Sequence, residues 1–370
     1  MIGWAFAVFV LAAFATLTAI GDRPARRWVL LAFSLGFFAL AAPLALPPVL
    51  ALTLVVYLLT RAGRTVGAIV FAAALLATYK AYVAYLGGPP LRAIAEPLVP
   101  LGLSYLTFSA IHYAASVRQG RFAAGGFVDF LNFLLFFPTA MAGPIKRYEG
   151  FRPTHEAPAD RLARGGLRAL GGLLKVLVLA PPCRQLVETF IVRQDIGVLD
   201  AWLLLYAGAF WLYFDFSGYS DIAIGASRAL GYRVPENFNW PYLKTNLRDF
   251  WRSWHMSLTS WVRDYVYIPL GGNRRGGVRG ALHMAAAMMA IALWHGFAPR
   301  FVVFGLYHAA GMFAYILWLK WGPSAANASL PRRVLGALAT FHFVSLGWLL
   351  FFADTRTVTH VALSLLGLGG

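Results

Sequence analysis

The chain is short of charge. Only 13% of its 370 residues are Asp, Glu, Lys or Arg, whereas 59% are apolar and 15% aromatic. Soluble globular proteins carry about 25% charged and roughly 45–50% apolar residues, so the composition argues against a soluble enzyme and against a disordered chain. Acidic residues are scarcest, 15 against 32 basic ones, for a formal net charge of +17. Cysteine occurs once, as Cys183, which excludes an internal disulfide and a thiolate metal cluster. No repeat of fixed period is present, and no stretch is long and polar enough to make a soluble domain. The chain also lacks a His-Glu-x-x-His metal helix, a Gly-x-Ser-x-Gly nucleophile elbow and a phosphate loop ending in Gly-Lys-Ser/Thr.

Long apolar runs take the place of charge. A helix needs about 20 mostly apolar residues to cross a bilayer. Met1–Ile20 is one such run, with no basic leader before it and its first charge at Asp22. It reads as a retained first span. Arg23, Arg26 and Arg27 follow, and Lys and Arg collect in cytoplasmic loops, so the N-terminus is expected outside. Trp28–Thr60 is broken by Pro43, Pro47 and Pro48, which predicts two shorter spans joined by a Pro-rich turn. Further apolar segments lie near 65–86, 97–115, 127–143, 167–192, 197–217, 281–298, 301–321, 334–352 and 357–369. The expectation is an all-α polytopic membrane protein of about 10–12 spanning or re-entrant helices, 1–370 forming one membrane-embedded domain. Much of the +17 then marks cytoplasmic loops, and no nucleic-acid partner is implied.

One region interrupts this pattern. Between 231 and 280 eight basic residues (Arg233, Lys244, Arg248, Arg252, Arg263, Arg274, Arg275, Arg279) sit with Glu236, Asp249 and Asp264, and with four tryptophans. Trp251, Trp254, Leu258, Trp261 and Tyr265 are spaced 3, 4, 3, 4, which predicts one stripe on a helix over 246–265. Asn246 is placed to cap that helix, with Asp249 in its first turn. An amphipathic segment rich in Trp and Arg suits a membrane interface or a cavity wall.

Ionisable groups within apolar spans are costly and therefore candidates for function. His295, in Ala292-Leu293-Trp294-His295-Gly296, ends one such run. Neutral imidazole is the cheaper form to bury, and its proton affinity suits a general base; a packed, hydrogen-bonded histidine is the plainer alternative. His255 flanks the aromatic stripe and faces inward. His112 and His308 lie in spans and can line a cavity. Asp215 and Asp221, in Tyr213-Phe214-Asp215-Phe216-Ser217-Gly218-Tyr219-Ser220-Asp221, need partners; the Arg-rich 231–280 segment is the nearest source, with a structural ion pair or a proton relay as their roles. No His/Cys/Asp/Glu pattern suggests a metal.

At these residues the sequence resembles the membrane-bound O-acyltransferase family. The core reads Pro235-Glu236-Asn237-Phe238-Asn239-Trp240-Pro241-Tyr242, then Asp249-Phe250-Trp251-Arg252-Ser253-Trp254-His255-Met256-Ser257-Leu258, then Arg263-Asp264-Tyr265 through Ile268-Pro269-Leu270-Gly271-Gly272-Asn273-Arg274. Leu293-Trp294-His295-Gly296 follows about one span later. Upstream, Pro100-Leu101-Gly102-Leu103-Ser104-Tyr105 and Phe137-Pro138-Thr139-Ala140-Met141-Ala142-Gly143-Pro144-Ile145-Lys146-Arg147-Tyr148 also fit. The matching stretch is 96–350, with 1–95 as N-terminal spans. One departure is Phe297-Ala298-Pro299-Arg300, where a small residue and then an aromatic would be expected; it bears on the shape of the cavity beside His295.

The resemblance implies a ring of tilted helices around a central funnel or tunnel. It points to the bacterial polysaccharide branch, where O-acetylation and D-alanyl transfer to teichoic acid compete as readings. It implies a cytoplasmic thioester donor, acyl-coenzyme A or the phosphopantetheine of an acyl carrier protein, as co-substrate rather than bound cofactor. It implies an acceptor polysaccharide and an extracytoplasmic partner. His295 would be the general base, His255 would assist, and Arg252, Trp254, Asn239, Arg263, Asn273 and Arg274 would hold the donor. A transporter is the reading from another class; it would need two related halves, which the sequence does not show.

Overall fold

A computed structural model describes residues 4–85, 102–140, 143–193, 196–274, 277–321 and 329–368. Pro100, Leu101, Met141, Ala142 and Arg275 of the motifs above lie outside them. Every regular element among the described residues is a helix, and the lone extended pairing is the bridge between Pro153 and Tyr232. Among the described residues six helical segments are long and apolar enough to cross a membrane: Pro43–Arg61, Thr65–Tyr82, Pro158–Phe190, Val198–Ala229, Pro299–Trp321 and Leu330–Phe352. Over their described residues the other expected segments fall on helices such as Phe127–Leu135, Gly277–His295 and Thr355–Leu365, and 97–101 lies outside the described residues.

The chain divides into two compact units, 1–171 with 219–235, and 172–218 with 236–370. The first contains α1 (Trp4–Ile20), α2 (Arg26–Ala41), α3 (Leu46–Arg61), α4 (Thr65–Tyr85), α5 (Leu103–Arg118), α6 (Phe127–Leu135), α7 (Phe137–Ala140) and most of α8 (Pro158–Leu174). The proline-broken run behaves as its sequence dictates. The chain leaves α2 at Ala41, makes a short 3₁₀ turn over Pro43–Ala45, and begins α3 with proline in its first turn, where a missing N–H costs nothing. Phe9, Phe33, Phe37 and Phe137 interlock at centroid distances of 5.2–5.6 Å between Phe9–Phe137, Phe9–Phe33 and Phe37–Phe137.

Arg26 fixes the start of this unit. Its guanidinium donates to Leu17 O at 2.8 Å and to Leu230 O at 2.9 Å. Both carbonyls lie at helix C-termini, where backbone oxygens lack intrahelical donors and the helix dipole is negative. His112 is held by the backbone of a neighbouring segment. It is fully buried, and its Nε2 accepts from the Tyr148 backbone N–H at 2.8 Å.

Asp221 has a partner on a neighbouring helix. Its Oδ1 accepts from Arg168 Nε of α8 at 2.7 Å. The reason is helical geometry: Asp221 sits on the far part of Val198–Ala229, on the face that packs against α8. Asp215, six residues earlier, is exposed. The close approach behind the pair is made by glycine. A Cβ at Gly165 would lie 2.5 Å from Gly225 O and 2.9 Å from Ala229 N, and a Cβ at Gly225 would likewise meet the Gly165 carbonyl. Small residues let membrane helices pack backbone to backbone, where dispersion replaces the hydrophobic drive that lipid cannot supply.

The second unit contains α9 (Ala180–Phe190), the first part of α10 (Val198–Ala229), α11 (Leu247–Trp251), α12 (Met256–Val262), α13 (Gly277–His295), α14 (Pro299–Trp321), α15 (Leu330–Phe352) and α16 (Thr355–Leu365). Leu204, Leu205, Leu349 and Val361 form a buried cluster in it. A Cβ at Gly305 would meet Ala292 Cβ and Met289 Sδ, so α14 lies close on α13.

Gly165→Leu is expected to abolish folded yield, measured by monodisperse detergent-extracted protein. Gly166→Ala, where no atom lies within 4 Å of the added Cβ, is expected to leave folding intact and raise stability by up to about 1 kcal/mol through helix propensity.

Candidate active site

The 246–265 stretch is not one helix. It is α11, a bend over 252–255, α12, and a π-helical turn over Arg263–Tyr267. Trp251, Trp254, Leu258 and Trp261 are all buried as their spacing predicted, but the break comes at His255, whose φ of +43° is left-handed. Histidine tolerates that region better than most residues, and a residue held there marks a site that its surroundings over-determine.

The surroundings can be named. Asn237–Asn239 runs beside Ser253–Met256: Asn239 N donates to Ser253 O at 3.0 Å, and Met256 N donates to Asn237 O at 2.9 Å. Asn237 is fully buried. Its Oδ1 accepts from Ser257 Oγ at 2.6 Å, from Ser257 N at 3.3 Å and from His255 Nδ1 at 3.3 Å. His255 supplies no side-chain cap of its own to α12, so Asn237 caps that helix from a distance and satisfies one of its orphan donors. Because Oδ1 can only accept, Nδ1 of His255 carries the proton, which makes Nε2 the acceptor edge of the ring. Asn246 caps α11 as expected, accepting from Asp249 N at 2.9 Å.

His255 and His295 line the same cavity, of about 70 Å³, although they are forty residues apart. Its other walls are aromatic (Trp251, Trp254, Trp348, Phe216, Phe304, Phe351) and aliphatic (Leu212, Leu258, Ile291). No carboxylate, ammonium or guanidinium is among them. Phe216 and Trp294 stand edge-on to the His255 ring at 4.7 and 5.8 Å. Phe351 does the same for His295 at 4.7 Å, and Phe301 lies nearly parallel to it at 5.9 Å. His295 is the last residue of α13. Pro299 opens α14, and Phe301 approaches Gly296 so closely that a Cβ there would meet its ring at 3.0 Å. Phe301, directly after the departing 297–300 stretch, thus forms an aromatic wall beside His295. Burial holds the His255 pKa well below its ordinary 6.5, and the nearby His295 adds to the effect; at neutral pH its imidazole is uncharged.

Residues 99–345 match the membrane-bound O-acyltransferase family. The chain belongs to that family. It is similar to a protein named probable alginate O-acetylase from Pseudomonas aeruginosa, 36% identical over 270 residues that cover 70% of this chain and 50% of the relative. It is also similar to the teichoic acid D-alanyltransferase of Bacillus subtilis, 32% identical over 68% of each chain. A third relative is the peptidoglycan O-acetyltransferase of Helicobacter pylori, 31% identical over 67% of this chain and 48% of the relative. The chain spans about half the length of the alginate-type relatives. This membrane-bound O-acyltransferase family member is a multi-pass membrane protein.

Of the sequence-predicted site residues, His295, His255 and Trp254 meet at the cavity. Arg252, Arg263, Asn239, Asn273 and Arg274 are exposed and line no part of it. Arg263 Nε is bonded to Asp264 at 2.8 Å, and Arg252 Nη1 lies 4.0 Å from Asp249. Asp215 and Asp221 are likewise absent from the walls. Sequence reasoning missed Asn237 and Ser257. Asn237 stands among other polar residues, Glu236 and Asn239, and a side chain that acts on a left-handed turn eighteen residues away has no periodicity to betray it.

Asn237→Ala strands the Ser257 hydroxyl and His255 Nδ1, and is expected to lower stability by about 1–3 kcal/mol in thermal unfolding of the detergent-solubilised protein. The depressed His255 pKa also has a sign. Below about pH 6.5 the unfolded chain takes up the proton first, so stability falls with acidification. His255→Asn keeps the left-handed turn and removes the titration; the difference in melting temperature between wild type and variant is expected to shrink from pH 7.5 to pH 5.

Proposed function

We propose that this chain is an O-acyltransferase of the inner membrane, N-terminus outside, that moves an acyl group from a cytoplasmic thioester toward hydroxyls of a secreted or cell-envelope polysaccharide. One observation carries the reading: two histidines from separate family signatures converge on a small cavity walled by aromatic and aliphatic side chains. A hydroxyl is a poor nucleophile at neutral pH, and a positioned imidazole corrects this. In the proposed step His295 takes the hydroxyl proton as the oxygen attacks the thioester carbonyl. The tetrahedral intermediate then collapses, the C–S bond breaks, and the His295 imidazolium returns the proton to the leaving thiolate. No covalent intermediate on the protein is required. His255, neutral and locked by Asn237, holds the wall of the site; its Nε2 accepts, so it assists by fixing geometry rather than by donating to the developing oxyanion.

The size and polarity of the cavity favour acetyl over D-alanyl transfer. The cavity is small, about 70 Å³, which suits a small acyl group. A D-alanyl group adds an ammonium, and the cavity offers no carboxylate to it. The donor is an acyl-coenzyme A or a carrier-protein thioester, and its phosphates fit the exposed arginines of the 246–274 segment. An extracytoplasmic partner completes delivery to the polymer.

Replacement of His295 by Ala is expected to reduce polymer acylation by about 10²–10⁴-fold at unchanged membrane abundance, read by mass spectrometry of envelope polymers from cells with the wild-type protein, the variant or neither. Acylation that persists with the variant removes His295 from the chemistry, and a D-alanyl adduct in place of acetyl overturns the donor assignment.

A further inference from the structure

The first unit contains a second concavity that the acyl-transfer reading does not use. Its volume is about 350 Å³, and it is lined by Arg23, Arg26, Arg27 and Arg152 together with Asn132, Tyr148 and Tyr232. One carboxylate, Asp129, shares it. Four arginines line this cleft against a single acid, and the three exposed ones, Arg23, Arg27 and Arg152, give it a positive field that attracts an anion.

Of the neighbouring acids, Asp22 makes no ion pair with these arginines among the described residues. Glu156 is already bonded to Arg228 at 3.1 Å and to Arg233 at 2.7 Å. Arg23, Arg27 and Arg152 make no ion pair among the described residues. Arg26 is 93% buried by its 7% exposure and spends both terminal nitrogens on backbone carbonyls, but its Nε has no partner. Asn132, also on the cleft wall and 5% exposed, donates its Nδ2 to Arg27 O at 2.8 Å while its Oδ1 has no partner. The walls are thus rich in forked donors, with one buried unmet donor and one buried unmet acceptor.

We propose that this cleft binds a phosphoryl group that carries or adjoins a hydroxyl, with Arg23, Arg27 and Arg152 as its charged ligands. Guanidinium forks match phosphate oxygens in pairs, and the hydroxyl answers Asn132 Oδ1. The site lies on the loop that follows α1, which the positive-inside rule puts at the cytoplasmic face. The ligand therefore comes from an anionic phospholipid headgroup of the inner leaflet or from a soluble phosphate compound. The site is distinct from the histidine cavity and does not depend on what that cavity does.

The test uses the full chain. Thermal stability is measured in detergent with added inorganic phosphate against chloride at equal ionic strength. It is then measured in nanodiscs of phosphatidylcholine with or without phosphatidylglycerol. Each series is run on wild type, on the exposed triple variant Arg23→Gln/Arg27→Gln/Arg152→Gln, on Arg152→Glu, and on a charge-matched control, Arg64→Gln/Arg193→Gln/Arg333→Gln. The expected result is stabilisation of wild type and control by a phosphate source, with apparent affinity weakened about tenfold or more in both cleft variants. Stabilisation by phosphatidylglycerol alone assigns the site to the lipid, and stabilisation by inorganic phosphate assigns it to a soluble ligand. No stabilisation by either source, or stabilisation that the cleft variants retain, overturns the proposal.

Discussion

Asn237 Oδ1 collects three hydrogen bonds, from the Ser257 hydroxyl, the Ser257 backbone and His255 Nδ1, and the geometry of the histidine cavity depends on that convergence. It acts together with the backbone bonds Asn239 N–Ser253 O and Met256 N–Asn237 O to hold the break at 252–255. An unbroken helix over 246–265 would keep the tryptophan stripe but would present His255 at the periodicity of its neighbours. The left-handed turn instead rotates the imidazole into the cavity and starts α12 afresh, with a cap borrowed from another segment. A buried amide oxygen with three donors is fully satisfied, and such networks tolerate little rearrangement because each lost partner leaves a desolvated group behind.

The two units use charge in opposite ways. The histidine cavity excludes it: its polar atoms are imidazole and indole nitrogens, its walls are rings and aliphatic chains, and His255 is held neutral by burial. In so poor a dielectric a developing charge is felt strongly, so a neutral base is the form that the site can hold at rest. The first unit gathers guanidinium groups. Arg26 ties two helix ends together through their carbonyls, and the arginines around it leave a concentrated positive field on the same loop. The net charge of +17 is thus partly orientation and partly architecture.

Much of this was legible in the chain itself. The apolar runs, the proline break between α2 and α3 and the Asn246 cap follow from span length and local backbone chemistry, which act over a few residues. His255 and His295 were found because an ionisable group beside apolar sequence is conspicuous. What escaped was non-local. Asp221 turned to Arg168 because two helices approach through Gly165 and Gly225, and no sequence distance reports a backbone contact of that kind. The kink at His255 escaped for the same reason: the stripe spacing of 3 and 4 survives the break, and an atom that helps to hold it lies on Asn237. The exposed arginines of 252–274, which the resemblance made donor ligands, lie outside the walls of the small histidine cavity.

The central claim is that a neutral His295 in an apolar cavity removes the acceptor's proton. It is tested most directly by the rate of acyl transfer from a radiolabelled thioester to an added polysaccharide acceptor in proteoliposomes holding wild type or His295→Gln, followed from pH 5 to pH 8. The account predicts a wild-type rate that falls on acidification, as imidazole takes up a proton, and a variant that is inactive throughout. A variant that turns over at the wild-type rate, with the same pH dependence, would contradict it.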